Sequence, residues 1–143
     1  MTKLITSFRD AHRFLSNFYL APVEFEREIY PSSEHAFQAA KTVDAEDRRI
    51  IREEKSPGKA KRLGQQITLR DGWEEMKVWV MEEIVKNKFE NNADLRILLL
   101  RTGNAKLVEE NTWGDKIWGV YDGEGENWLG KILMKVREEL WDG

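Results

Sequence analysis

The sequence contains no cysteine and only two histidines among its 143 residues. It therefore forms no disulfide and offers no thiolate nucleophile and no cysteine-ligated zinc or iron–sulfur cluster. The two histidines, His12 and His35, lie outside any H-x-x-x-H spacing, so we expect no transition-metal site. Carboxylates are plentiful, and an oxygen-ligated Mg²⁺ site stays open at this point.

Long apolar runs are also missing. No stretch approaches the ~20 apolar residues that a membrane span needs. The first eight residues lack the apolar core of a signal peptide. We therefore expect a cytoplasmic protein without a membrane partner.

Several catalytic signatures are absent. There is no G-x-S-x-G elbow and no Walker A motif. The glycines at 123, 125 and 130 do not have the G-x-G-x-x-G spacing of a dinucleotide fingerprint, and Glu124 and Glu126 among them would repel phosphate. These absences argue against a serine hydrolase of that type, a P-loop NTPase and a dinucleotide-dependent enzyme.

The chain has no excess of positive charge. Its 23 Lys and Arg face 26 Asp and Glu, and the net charge of −3 argues against a general nucleic-acid binder. Residues 48–62 are the exception, because seven basic side chains there outnumber two acidic ones. This segment suits a phosphate-bearing small molecule or the docking of a modified nucleic acid; the alternative is a solvated helix face.

The length and the 41% hydrophobic content predict one domain over residues 1–143. The order of patterns is typical of a helix-rich α+β fold, a single compact domain with a small early β-hairpin packed against several helices. We predict strands at 4–8 and 105–109 and a hairpin over 22–30. Helices are predicted from Glu34 and over 44–54, 58–63, 73–91, 93–101 and 129–140, with Gly64 as the C′ residue of the third.

Residues 30–41 (YPSSEHAFQAAK) are the first unusual stretch. Proline and serine at 31–33 predict a turn and a helix cap. Glu34, Gln38 and Lys41 then lie at i, i+4 and i+7 and share one side of the helix, beside Phe37. This side is either a pocket wall or a solvent-facing stripe.

Residues 111–119 (NTWGDKIWG) are the second, with Asp115 between Trp113 and Trp118. Carboxylates next to aromatic rings suit glycosidic-bond cleavage, because a carboxylate stabilises an oxocarbenium-like transition state. Aromatic rings stack on flat bases. The alternative is that both Trp side chains are core anchors and that Asp115 caps a turn.

These stretches belong to a longer series that resembles the YbiA-like, or NADAR, family. The series runs in order through residues 14–19 (FLSNFY), 30–41, 60–64 (AKRLG), 70–73 (RDGW), 107–109 (LVE), 115–119 (DKIWG) and 127–134 (NWLGKILM). It covers the chain roughly from Phe8 to Leu140. One departure is the hairpin turn, where family members often have Gly and this chain has Glu26, Arg27 and Glu28.

The resemblance implies an N-glycosidase that needs neither metal nor cofactor. Two substrate classes are associated with the family: phosphorylated ribosylamino intermediates of early riboflavin synthesis, and ADP-ribose attached to guanine, which can be an adduct on nucleic acid. Glu34 and Asp115 carry over as catalytic residues. The substrate-binding residues that carry over are Asn17, Phe18, Lys41, Trp73, Lys88, Trp118 and Asn127.

The mechanism expected from this match places the substrate phosphate at Lys41, Lys88 or the basic segment and stacks the base on Trp118 or Phe18. A first-turn Glu34 is kept ionised by the helix dipole, which suits a base or an electrostatic stabiliser. Asp115 can protonate the departing nitrogen where burial raises its pKa. The alternatives are a non-catalytic ADP-ribose or nucleotide-binding module and a protein-interaction domain, which would need a large exposed apolar patch.

Overall fold

The computed structural model describes residues 3–142 and divides the chain into two compact units. Residues 17–92 form one unit, and the segments before and after them form the other. The single domain predicted over residues 1–143 stays a prediction. The helix-rich α+β class is confirmed by ten elements in chain order: β1 (Leu4–Ile5), β2 (Leu20–Phe25), β3 (Glu28–Ser32), α1 (Ser33–Ala40), α2 (Ala45–Glu53), α3 (Pro57–Gly64), α4 (Trp73–Asn91), α5 (Ala93–Arg101), β4 (Lys106–Leu107) and α6 (Trp128–Asp142).

The unit outside residues 17–92 contains β1, β4, α5 and α6, together with a 3₁₀ helix over Asp10–Leu15. β1 pairs with β4 in parallel, with Leu4 opposite Lys106 and Ile5 opposite Leu107. The strand predicted over 4–8 is therefore correct in place but extends only to Ile5. α6 buries the aliphatic row predicted from its helical spacing, including Leu129, Leu133 and Val136. None of the helices among residues 3–142 is both long and apolar enough to cross a membrane.

The unit of residues 17–92 is built around α1. Helices α2, α3 and α4 and the β2–β3 hairpin all pack against it. All eight of its residues are buried, so the solvent-facing alternative for the Glu34 side of this helix is wrong. A short helix of mixed polarity becomes central because its neighbours cover every side.

The start of α1 is fixed by Ser32 and His35. The Ser32 side chain accepts from His35 N at 3.1 Å, which is the predicted N-cap. The His35 ring lies 2.7 Å from Ser32 Oγ through Nδ1 and 2.7 Å from the Glu54 carbonyl through Nε2. Burial lowers the pKa of His35, and a neutral ring that accepts from Ser32 O–H and donates to Glu54 satisfies both contacts. The ring thus joins the start of α1 to the end of α2.

The hairpin turn is tighter than its sequence suggests. Two residues, Glu26 and Arg27, join the strands with φ of 47° and 74°, in the left-handed region that such turns usually fill with Asn and Gly. The Glu26 carboxylate accepts from Arg48 at 2.8 Å and from Arg70 at 3.1 Å. These two ion pairs hold the side chain of Glu26 in place, although its positive φ is an unfavourable backbone conformation.

One helix end was predicted incorrectly. Gly64 does not follow α3 as a left-handed C′ residue; it is the last residue of the helix, and Gln65 caps it in a right-handed conformation. Residue 64 is a glycine for a different reason. A Cβ at residue 64 would lie 1.9 Å from Gln38 Oε1, so only glycine leaves room for the Gln38 side chain.

Candidate active site

Glu34 is a buried carboxylate in the first turn of α1, with 8% of its surface exposed. Gln38, one turn further along, donates from Nε2 to Glu34 Oε2 at 2.6 Å. The backbone N–H of Glu34 donates to the carbonyl of Asn17 at 3.0 Å. The helix dipole and the amide hydrogen bond both favour the ionised carboxylate.

Lys41 follows the last turn of α1 and supplies positive charge near this carboxylate. Burial lowers the pKa of Lys41, the charge of Glu34 opposes that shift, and the charges of Lys61 and Lys77 add to it. Lys61 and Lys77 therefore lie close enough to Lys41 to act on it, although Lys77 is also ion-paired with Glu74 at 2.5 Å. Such a cluster suits an anionic group of a substrate.

The aromatic side chains of this unit have different exposures. Trp73 is buried and packs on Phe37, with ring centroids 5.2 Å apart and an interplanar angle of 53°. Trp73 thus anchors the start of α4 against α1. Phe18 is 44% exposed and keeps a ring surface accessible to a planar ligand.

Asn17 and Lys88 are both buried polar residues. The Asn17 side-chain amide donates to Met81 Sδ at 3.5 Å, while its Oδ1 is buried without a hydrogen-bond partner among the described residues. Lys88 is 1% exposed, and its Nζ lies 5.8 Å from the Tyr19 ring centroid and 5.1 Å from that of Phe89. Burial lowers the pKa of Lys88 to about 7.

Asp115 and Trp118 lie in the other unit. Asp115 Oδ1 accepts from the backbone N–H groups of Ile117 and Trp118, at 3.0 and 2.9 Å. The carboxylate therefore caps a turn, as one of the sequence alternatives proposed. Trp118 is half-buried, whereas Trp113 is 57% exposed and is not a core anchor.

Asn127, also in this second unit, has a clear structural role. Its Nδ2 donates to the Leu107 carbonyl at 3.0 Å, and its Oδ1 accepts from Glu109 N at 3.0 Å. The amide thus links the start of α6 to β4 and the residues after it. A Cβ on Gly130 would collide with this amide, so residue 130 must stay small.

The basic segment 48–62 is largely neutralised in its first half. Arg48 pairs with Glu26, Arg49 with two glutamates of its own helix, and Arg52 with Glu28. These ion pairs favour the interpretation of a structural helix face for α2. The second half of the segment adds the positive charges of Lys59, Lys61 and Arg62 on α3.

Sequence reasoning placed Glu34, Lys41 and Asn17 in one region, and the structure brings these three together. The sequence also placed Gln38 on the same side of α1 as Glu34, through their i, i+4 spacing, but did not include it among the site residues. It also missed Gly64, Lys61 and Lys77, because their proximity to α1 depends on the packing of α3 and α4. In residues 3–142 no group of three or more His, Asp and Glu side chains could hold a metal ion.

The chain belongs to the NADAR domain family, whose model matches residues 6–141. It is 43% identical to N-glycosidase YbiA of Escherichia coli (strain K12) over 137 residues, which are 94% of this chain and 85% of that protein. It is 39% identical to an N-glycosidase of Nostoc punctiforme, covering 87% of this chain and 83% of the relative.

Two further comparisons agree with this assignment. A riboflavin biosynthesis protein of Vibrio vulnificus is 39% identical over 132 residues, 90% of this chain but 36% of that longer protein. The NMR structure of E. coli YbiA superimposes with a TM-score of 0.86 at 40% identity, covering 99% of this chain and 88% of the other. The predicted class, a hydrolase acting on N-glycosyl bonds, is confirmed by these relatives.

Proposed function

We propose that this chain hydrolyses the N-glycosidic bond between a phosphorylated ribose and a base-like group, with Glu34 as the catalytic carboxylate. The observation that carries the proposal is the carboxylate's setting. Glu34 is buried in the first turn of α1, and its orientation is set by the Gln38 amide 2.6 Å away. A small-molecule substrate is consistent with the relatives named N-glycosidase.

The setting of Glu34 suits a base or an electrostatic stabiliser. As the C1′–N bond lengthens, positive charge develops on the ribose, and a fixed carboxylate close to it lowers the barrier. The same carboxylate can orient a water molecule and accept its proton. The helix dipole and the Gln38 N–H both interact favourably with the carboxylate anion.

The charges around Glu34 support a phosphorylated substrate. Lys41, Lys61 and Lys77 supply positive charge in the same unit, and the exposed ring of Phe18 offers a stacking surface for a base. The name of the Vibrio relative favours the riboflavin-intermediate class for this site. ADP-ribose on guanine is the competing class, and cytoplasmic localisation is part of the same proposal.

Other carried-over residues remain predictions of the resemblance. Asp115 and Trp118 are proposed to contact the substrate in addition to forming their turn. Lys88, Trp73 and Asn127 have the structural contacts described above, and their contribution to binding is proposed only through the match.

The decisive experiment offers the purified protein both substrate classes and measures released base and ribose by mass spectrometry. Glu34→Gln should lower turnover by at least roughly 10²-fold, because the neutral amide cannot stabilise the developing charge. Ligand affinity should change only a few-fold. Glu75→Gln is the matched control, since Glu75 is an exposed acid in the first turn of α4.

Three outcomes would contradict the proposal. Normal turnover by the Glu34→Gln variant would remove Glu34 from the chemistry. Equal losses in the Glu75→Gln variant would point to a general effect of charge. Intact adducts of both classes after prolonged incubation with the wild-type protein would favour a binding module instead.

A further inference from the structure

A cavity in the unit outside residues 17–92 is lined by none of the residues assigned to the glycosidase reaction. It has a volume of about 650 Å³ and lies between α6 and the segment that follows α5. The described residues that line it are Gly103, Asn104, Met134, Arg137, Glu138 and Trp141. None of them takes part in the proposed glycosidase reaction, so a ligand in this cavity would be independent of that function.

Arg137 is the unusual member of this cavity because it is a buried cation. It is 8% exposed, and Nη1 donates to Thr102 Oγ1 at 2.9 Å. The Thr102 hydroxyl donates in turn to the Leu99 carbonyl at 2.6 Å, which leaves its lone pair for the guanidinium. Among residues 3–142 Arg137 forms no ion pair and no other hydrogen bond.

A buried guanidinium with one acceptor for its five N–H groups lacks both hydrogen-bond acceptors and a counter-charge. Burial lowers the pKa of Arg137, although an arginine stays charged. A planar anion would supply both, because a carboxylate can accept hydrogen bonds from two parallel N–H groups of the guanidinium. Arg137 is one of the residues that line the cavity, so a ligand bound there would lie against it.

Two of the other lining residues, Met134 and Trp141, are apolar. Trp141 and Met134 lie on the same side of α6 as Arg137, at i+4 and i−3. Trp141 is 65% exposed although it is one of the two tryptophans of this helix. An exposed indole beside a thioether offers a surface on which an aromatic ring can stack.

We propose that this cavity binds a small aromatic monocarboxylate, with its carboxylate on Arg137 and its ring against Trp141 and Met134. The charge of Glu138 limits how much negative charge a bound ligand can carry. One arginine and one glutamate line the cavity, so a second negative charge on the ligand would be repelled. The site therefore takes a monoanion in preference to a phosphate monoester.

The test titrates the full chain, labelled with ¹⁵N, with benzoate and follows the indole N–H signal of Trp141 by NMR. A ligand of about nine heavy atoms should bind with a dissociation constant on the order of 1 mM. Benzamide, which lacks the charge, should bind at least about tenfold more weakly. Phenyl phosphate should also bind more weakly than benzoate.

Three variants test whether the ligand binds in this cavity rather than elsewhere on the protein. Trp141→Ala, which lacks the indole signal and is followed through the backbone amide of Glu138, should weaken benzoate binding several-fold, and Arg137→Gln at least about tenfold. Glu138→Gln should tighten binding of phenyl phosphate more than that of benzoate, because the repelling charge is gone. Glu139→Gln is the control, since Glu139 is exposed on the same helix and does not line the cavity.

The proposal does not depend on the buried arginine alone, because Trp141 and Glu138 are exposed and can be exchanged without disturbing the core. Equal binding of benzoate and benzamide would overturn it. So would the absence of a saturable shift of the Trp141 signal, or identical behaviour of the Glu138→Gln and Glu139→Gln variants.

Discussion

The orientation of Glu34 depends on a residue that has no side chain. Gln38 reaches the Glu34 carboxylate because it occupies the space that a side chain at residue 64 would fill. Gly64 is therefore a positioning residue in the proposed mechanism, acting through Gln38. The Glu34–Gln38 pair follows from helical spacing and was visible in the sequence. The role of Gly64 was not, because it depends on how α3 packs against α1.

Replacing Gly64 tests this link. In Gly64→Ala the new Cβ would clash with the Gln38 side chain, so that side chain must shift and its hydrogen bond to Glu34 is disturbed. We expect kcat to fall about tenfold or more because the carboxylate is displaced or reoriented. The acidic limb of the kcat/KM pH profile should shift to higher pH, since an N–H that stabilised the anion is lost.

Two companion variants distinguish positioning from loss of structure. Gln38→Leu removes the hydrogen bond and should reproduce the shift in the pH profile. Gly58→Ala is the matched control in the same helix, because its new Cβ would make only ordinary contact, 3.5 Å from Ser56 Oγ. Wild-type rates and an unchanged pH profile for Gly64→Ala would refute the positioning role.

Among the elements, the β2–β3 hairpin departs most from what its sequence suggests. The sequence predicted a hairpin but no turn type, because Glu26 and Arg27 are poor residues for a two-residue turn. The ion pairs from Arg48 and Arg70 to Glu26 help to explain how the turn is tolerated. These arginines lie far along the chain, so local pattern reasoning could not include them.

Arg27→Gly should therefore stabilise the protein. Arg27 has a φ of 74°, which costs a residue with a Cβ roughly 1–2 kcal/mol, and glycine avoids that cost at some loss of chain entropy. We expect the free energy of unfolding to rise by about 0.5–1 kcal/mol in urea denaturation.

The neighbouring position provides the comparison for this prediction. Glu26→Gly relieves the same backbone cost but removes the ion pairs to Arg48 and Arg70. Its gain should be smaller than that of Arg27→Gly, or absent. A destabilised Arg27→Gly variant would show that the arginine side chain contributes more than its conformation costs.

The remaining elements show where sequence patterns succeed. Helix α4 begins at Trp73 as predicted, and α1 and α3 begin one residue before the predicted positions 34 and 58, directly after their capping residues Ser32 and Ser56. The patterns could not reveal that α1 is covered on every side. That burial is what changes the Glu34 side from a solvated stripe into a candidate site.

At the scale of the whole molecule, Lys88 makes stability depend on pH. It is buried, and its pKa of about 7 lies well below the ordinary value of 10.5. Between these two pH values the unfolded chain binds a proton that the folded chain has released. The free energy of unfolding contributed by this group therefore rises with pH across that range.

We expect the wild-type free energy of unfolding to rise between about pH 7 and pH 10, by at most about 1.4 kcal/mol per pH unit from this group. Lys88→Met removes the titrating group, so its curve should be flatter over the same range. Urea denaturation at several pH values measures both slopes. Parallel curves for the two proteins would contradict the assignment.

At this scale, the fold class and the enzyme class were predictable from the sequence, because long patterns and many spaced motifs carry them. The site was predictable only in part. Asn17, Glu34 and Lys41 come together in one unit. The contacts of Asp115 and Asn127 are turn and strand contacts, which single-sequence reasoning could assign only as alternatives.

The parallel pairing of β1 with β4 has a consequence for synthesis on the ribosome. Leu4 is made early, and its partner Lys106 is made about a hundred residues later. At cellular elongation rates that interval is roughly 5–20 s. All of residues 17–92 emerge within it, so that unit has its complete chain before β1 has anything to pair with. Strand β1 is thus among the last elements to be placed, because its partner strand is made only after all of residues 17–92.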